Sequence, residues 1–116
     1  MKISLLVFSY EKDGAPMNTL MFHVLLFARE LKEKGDDVKI IFEGEGVKWA
    51  KDLINPEHPF SEHVKPLKDN FIACEACSSM HGILDDIIGK VSIENDLHGH
   101  ISLKKYLDDG GKVVEF

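Results

Sequence analysis

The residues of this chain best suited to chemistry are its two cysteines, Cys74 and Cys77, three apart in Phe-Ile-Ala-Cys-Glu-Ala-Cys-Ser-Ser-Met-His-Gly-Ile at residues 71–83. A short apolar run precedes the pair and reads as a strand. Ser78 and Ser79 are good capping residues for a helix over 80–88. This spacing presents sulfur to the outside at a strand end and sets Cys77 at or just before a helix N-terminus. Unpaired N–H groups and the positive end of the helix dipole there favour thiolate over thiol and lower the cysteine pKa.

Four chemistries fit the pair. A thioredoxin-like dithiol needs both sulfurs within disulfide reach, which the spacing allows, although such motifs usually follow the first strand and no proline comes later in this chain. A zinc site would take Cys74, Cys77 and His81, with His98 or His100 as a distant fourth ligand. Both cysteines also fit as small buried hydrophobes. In a sulfur carrier, one thiolate attacks a sulfur donor and holds a persulfide while the second cysteine resolves or releases the sulfur. For the carrier, Cys74 is the sulfur-holding residue and Cys77 the assisting thiol. His81, one helical turn past Cys77, and Glu75 are the proton-handling neighbours.

The elements that must position this motif fit within one domain spanning 1–116. A chain of 116 residues buries an ordinary core without disulfides or a structural metal. With 14 basic against 20 acidic residues and a formal charge of -6, neither nucleic acid nor an anionic membrane is an expected partner. Two cysteines three apart, with no signal peptide and no apolar run long enough to span a bilayer, place the protein in a reducing cytoplasm as a soluble chain.

Residues 3–8 form a mostly continuous apolar run, the pattern of a strand covered on both faces. A loop over 10–16 leaves its C-terminal end, and Asn18 or Thr19 caps a helix running to about Lys34, with Gly35 as its stop. A second strand over 37–42 makes a right-handed parallel crossover, so the fold is α/β. Glu43-Gly44-Glu45-Gly46 turns into a helix over 47–54, and its two glutamates argue against an anion site there. Trp49 is expected to pack. Residues 55–69 read as a loop with one short helix near 61–64, in which His58 and His63 are solvated. Strands over 71–73, 91–93 and 112–116 and a last helix over 98–109, with Ile101, Leu103 and Leu107 as apolar positions, complete the chain.

Between Leu20 and Ala28 only His23 is polar, so the first helix carries more apolar surface than one sheet covers. The expectation is a homo-oligomer interface using Met21, Phe22, His23 and Leu25, with deeper burial inside the chain's own fold as the alternative.

At Cys74-Glu-Ala-Cys77-Ser-Ser-Met-His81-Gly82-Ile83 the chain resembles the DsrE/DsrF-like family of small sulfur-handling proteins. Many members carry Cys-x-x-Cys-x-x-x-Arg-Gly-Ile/Leu after the third strand, and His81 stands here where arginine is common. The loop after strand one, the apolar first helix ending in Lys34-Gly35, and residues 38–47 extend the resemblance over most of the chain. It implies a three-layer α/β/α sandwich whose five-stranded parallel sheet runs in the order 4-3-2-1-5, assembled as a homotrimer or hexamer. It also implies that Cys74 carries the sulfur, received from a donor and passed to an acceptor protein. No cofactor or metal belongs to that reading. The alternative is a non-catalytic homo-oligomeric binding module whose cysteines bind zinc or are structural.

Overall fold

The computed structural model describes residues 1–116. Five parallel strands, β1 (Lys2–Val7), β2 (Asp37–Phe42), β3 (Phe71–Cys74), β4 (Ser92–Glu94) and β5 (Lys112–Glu115), form one sheet. Their order is β4-β3-β2-β1-β5, as the resemblance implied. The helices are α1 (Asn18–Glu33), α2 (Val47–Ile54), α3 (Ser61–Val64), α4 (Glu75–Met80), α5 (Leu84–Ile87) and α6 (Leu103–Leu107).

Alternation along the strands divides the apolar residues between two faces. Leu5 and Val7 of β1 and Ile40 and Phe42 of β2 are buried with Met21, Val24 and Leu25 of α1. Leu6 and Ile41 point the other way, towards Tyr106 of α6. The sheet is therefore sandwiched, with the cysteines leaving it at the C-terminal end of β3.

Gly35 stops α1 as expected. Its φ of +94° lets the N–H groups of Gly35 and Asp36 reach back to the carbonyls of Lys32 and Leu31. Trp49 is fully buried, its Nε1 donating to the Ser9 carbonyl at 2.9 Å and its ring standing edge-on to Tyr10. It is a packing residue. The turn before α2 depends on one glycine. A Cβ at Gly46 would lie 2.0 Å from the carbonyl oxygen of Val7, so only glycine lets this turn sit against the end of β1.

The apolar flank of α1 is covered in part from within the chain, with His23 and Phe27 left exposed, and three other expectations need correction. Met21 and Leu25 are fully buried, and Phe22 packs on Phe60 and His63 from the 58–63 segment. That segment covers part of the stripe and leaves Phe27 44 % exposed. His58 and His63 are half-buried and bonded rather than freely solvated: the His58 ring accepts from the Phe60 N–H at 3.0 Å, and the His63 ring bonds Arg29 at 2.9 Å. The loop after β1 folds into a two-by-two-residue hairpin, Glu11–Lys12 against Ala15–Pro16, turned by Asp13 and Gly14 at positive φ. The helix expected over 98–109 starts only at Leu103, capped by Ser102, because His98 and Gly99 adopt positive φ. Residues 95–101 form instead a strap that crosses the end of β3, and this strap completes the candidate site.

Candidate functional site

The helix after β3 begins directly at the strand end, with no serine cap. Cys74 itself is the cap: its Sγ accepts the N–H of Cys77 at 3.5 Å, and α4 runs from Glu75 to Met80. Cys77 therefore lies in the first turn of a six-residue helix, and Ser78 is inside that helix, fully buried, with no partner for its hydroxyl. Gly82, at a φ of +69°, separates α4 from α5 where one helix over 80–88 was expected.

The two thiols are close and free, and they face inward. Cys74 is 0 % exposed and Cys77 is 7 % exposed. The expectation of outward-facing sulfur fails because the strap lies across the strand end. The Ala76 N–H donates to the Gly99 carbonyl at 2.9 Å, and Leu97 and His100 pair with each other through two bonds of 2.8 Å. The turn at His98 and Gly99 then swings His100 over both sulfurs. Its Nδ1 lies 3.2 Å from Cys74 Sγ and 3.4 Å from Cys77 Sγ, with the direction of each bond set by the tautomer. The Cys74 thiol also points at the Gly99 carbonyl, 3.8 Å away.

Glu43 closes the cluster from the neighbouring strand. In the β2–β3 register Phe42 is level with Ala73, so the next residue on each strand, Glu43 and Cys74, emerge side by side. One carboxylate oxygen of Glu43 accepts the Ile101 N–H at 3.1 Å, and the other faces the Cys77 thiol at 3.7 Å. The ligating atoms of Glu43, Cys74, Cys77 and His100 all lie within 4.8 Å of one another. Sequence spacing named only the two cysteines of this set as the core of the site, with His100 as a distant fourth zinc ligand. His81 lies at the C-terminal end of α4 and Glu75 accepts from Asn95, and neither side chain bonds a sulfur.

The electrostatics run opposite to the expected activation. Burial pushes the Cys74 thiol up to about 12, the hydrogen bond from the Cys77 N–H works against that rise, and the Cys77 thiol and the Glu43 carboxylate add to it. Desolvation and a nearby anion outweigh the start of a short helix.

Beside the cluster lies a cavity of about 320 Å³, walled by Leu6, Phe8, Ile41, Ile101, Tyr106 and Val113. It opens where β1 separates β2 from β5, the point at which the strand order reverses and where open α/β sheets hold ligands. Glu43 and His100 line it too, so the residues that touch the thiols also face the cavity. The remaining acidic lining group is Glu115, and no lysine or arginine is present in the wall.

No helix is long and apolar enough to cross a membrane. The chain is 55 % identical over 115 residues to an uncharacterised protein of Methanocaldococcus jannaschii, a match covering 99 % of this chain and 95 % of that one. Its fold is similar to that of a conserved protein of unknown function from Bacteroides thetaiotaomicron, with a TM-score of 0.66, 17 % identity, and coverage of 97 % and 94 % of the two chains. The sequence pattern of the DsrE/DsrF-like family matches residues 2–116, and the chain belongs to that family.

Proposed function

We propose that the protein carries sulfane sulfur, with Cys74 holding the transferred atom as a persulfide and Cys77 serving as the second thiol. One observation carries the reading: a single imidazole nitrogen, His100 Nδ1, stands within 3.4 Å of both sulfurs. The sulfur-relay theme of the DsrE/DsrF-like family supports it.

In the loading step His100 takes the proton of the Cys74 thiol. The thiolate attacks the outer sulfur of a donor persulfide, forming a Cys74 Sγ–S bond and breaking the donor's S–S bond. The donor leaves as a thiol after taking the proton from His100, so nothing is oxidised or reduced overall. Release to an acceptor thiol is the same exchange in reverse. When no acceptor is present, the Cys77 thiolate attacks Cys74 Sγ and expels hydrosulfide, leaving a Cys74–Cys77 disulfide. The proton-handling role first given to His81 and Glu75 falls in this reading to His100, with Glu43 beside Cys77.

Access to Cys74 requires the 95–101 strap to loosen at the Ala76–Gly99 hydrogen bond, with His100, which also lines the cavity, kept beside the sulfurs. A donor approaching through the cavity meets Glu43 and Glu115 and no cation. The site therefore suits a neutral persulfide with an apolar body better than an anion such as thiosulfate.

Intact-mass measurement of anaerobically purified, metal-free protein before and after incubation with a small organic persulfide tests the proposal. The expected result is a gain of one sulfur atom, mapped to Cys74, removed by reductant, absent in Cys74→Ser, slowed in His100→Ala and unchanged in His81→Ala. A Cys74→Ser variant that loads like the native chain, or no gain while both thiols alkylate freely, would overturn it in favour of a binding module.

A further inference from the structure

The cluster has a property that sulfur carriage does not need. Its four donor atoms come from three separate segments: the end of β2, the junction of β3 with α4, which supplies both cysteines, and the strap. They converge on one point. Tetrahedral zinc has bonds of about 2.0–2.3 Å, which sets neighbouring ligand atoms roughly 3.3–3.8 Å apart. The Cys74–His100, Cys77–His100 and Cys77–Glu43 separations are 3.2, 3.4 and 3.7 Å, and all four atoms lie within 4.8 Å of one another, so a small inward shift would complete the shell. Carrier chemistry calls for two thiols and one base, whereas a carboxylate converging on them with the imidazole is what a metal calls for.

The donor types narrow the metal. Two thiol sulfurs, an imidazole nitrogen and a carboxylate form a borderline-soft set that suits zinc and excludes magnesium and calcium, which take oxygen ligands. Two of the four ligands are held by backbone N–H groups: that of Cys77 points at Cys74 Sγ, and that of Ile101, from outside the set, holds Glu43 Oε1 while Oε2 faces the cluster. Glu43 and His100 also line the 320 Å³ cavity, which supplies an entry path.

We propose that Cys74, Cys77, His100 and Glu43 bind one zinc ion per chain in the sulfur-free protein, with Glu43 as the ligand on the cavity side. The ion ties the strap to the ends of β2 and β3. Its binding does not depend on sulfur transfer.

The test uses the full chain, reduced and stripped with a chelator, in the absence of any sulfur donor. Zinc competed against a chromophoric chelator gives stoichiometry and affinity, and cobalt(II) serves as the spectroscopic probe. One equivalent per chain is expected, with cobalt showing thiolate charge-transfer bands and the intense visible bands of a tetrahedral ion. Loss of an outer hydrogen-bond partner costs a metal site about 10–100-fold, so Cys77→Ser and His100→Ala should each weaken zinc by more than about 100-fold. Glu43→Gln weakens it less, and His81→Ala leaves it unchanged. A cobalt spectrum without thiolate bands, binding indifferent to His100→Ala, or equal losses in His81→Ala and His100→Ala would overturn the proposal. The native-chain cobalt spectrum decides if the cysteine variant fails to fold. Sulfur loading is measured on metal-free protein and zinc binding on sulfur-free protein, so either reading can fail alone.

Discussion

Replacing Gly46 with alanine puts a methyl group 2.0 Å from the Val7 carbonyl oxygen and 2.8 Å from the Val7 carbonyl carbon. Both are backbone atoms of the central sheet strand β1, so the obstacle cannot rotate away. Ordinary contact requires the 43–46 turn to back off by more than 1 Å. The hydrogen bond from the Glu43 N–H to the Val7 carbonyl, 3.1 Å long, would then be lost. Overpacking of this kind costs about 1–3 kcal/mol and the lost bond about 1 kcal/mol, while the lower chain entropy of alanine returns about 0.4–1 kcal/mol. The expected net loss is about 1–3.5 kcal/mol, a large share of the ~5–15 kcal/mol that holds a typical domain together. Urea unfolding followed by circular dichroism should show a lower midpoint with an unchanged slope. Displacement of the turn also pulls Glu43 from the Cys77 thiol, so zinc affinity should fall with stability. A loss below about 0.5 kcal/mol, the range of ordinary surface substitutions, would refute the close-approach argument.

Ser78→Ala should be neutral or stabilising by up to about 1 kcal/mol in the same unfolding assay, because the buried hydroxyl has no partner to lose. Both tyrosines should resist ionisation. Burial and a carboxylate partner, Asp52 for Tyr10 and Glu94 for Tyr106, push Tyr10 to about 12 and Tyr106 further up. A folded pKa above the unfolded value means that their stabilisation is complete below about pH 10 and declines as pH rises past it. Absorbance titration should therefore show phenolate only above the ordinary tyrosine range, together with falling stability. Self-association, proposed from family resemblance, should appear as a trimer or hexamer mass in light scattering. Phe27, 44 % exposed on α1 against Phe116, is the place to weaken it with Phe27→Glu, and a monomer mass for the native chain would end that proposal.

The reach of the sequence differed between fold and site. Periodicity located the five strands because each centres on a short apolar run, and family resemblance supplied their order. The 47–54 helix and the Gly35 stop were legible for the same local reasons. The cysteine pair could be found by spacing alone, since three residues bring two sulfurs together wherever a helix starts. Their environment could not. Helical spacing pointed to His81, four residues after Cys77, yet α4 ends at that residue, and the imidazole that reaches the sulfurs comes from His100, 26 residues beyond Cys74. Its one local signal was Gly99 between two histidines, a turn that positive φ at His98 and Gly99 makes tight. Glu43 was hidden for another reason: only the register of parallel strands makes it level with Cys74. Sequence by itself determined the strands, the turns and the presence of a close cysteine pair, because those follow from residues close together in the chain. Tertiary structure alone decided that the pair is buried, which histidine and carboxylate meet it, and that Cys74 holds its proton, because burial and through-space charge depend on neighbours the chain brings from far away.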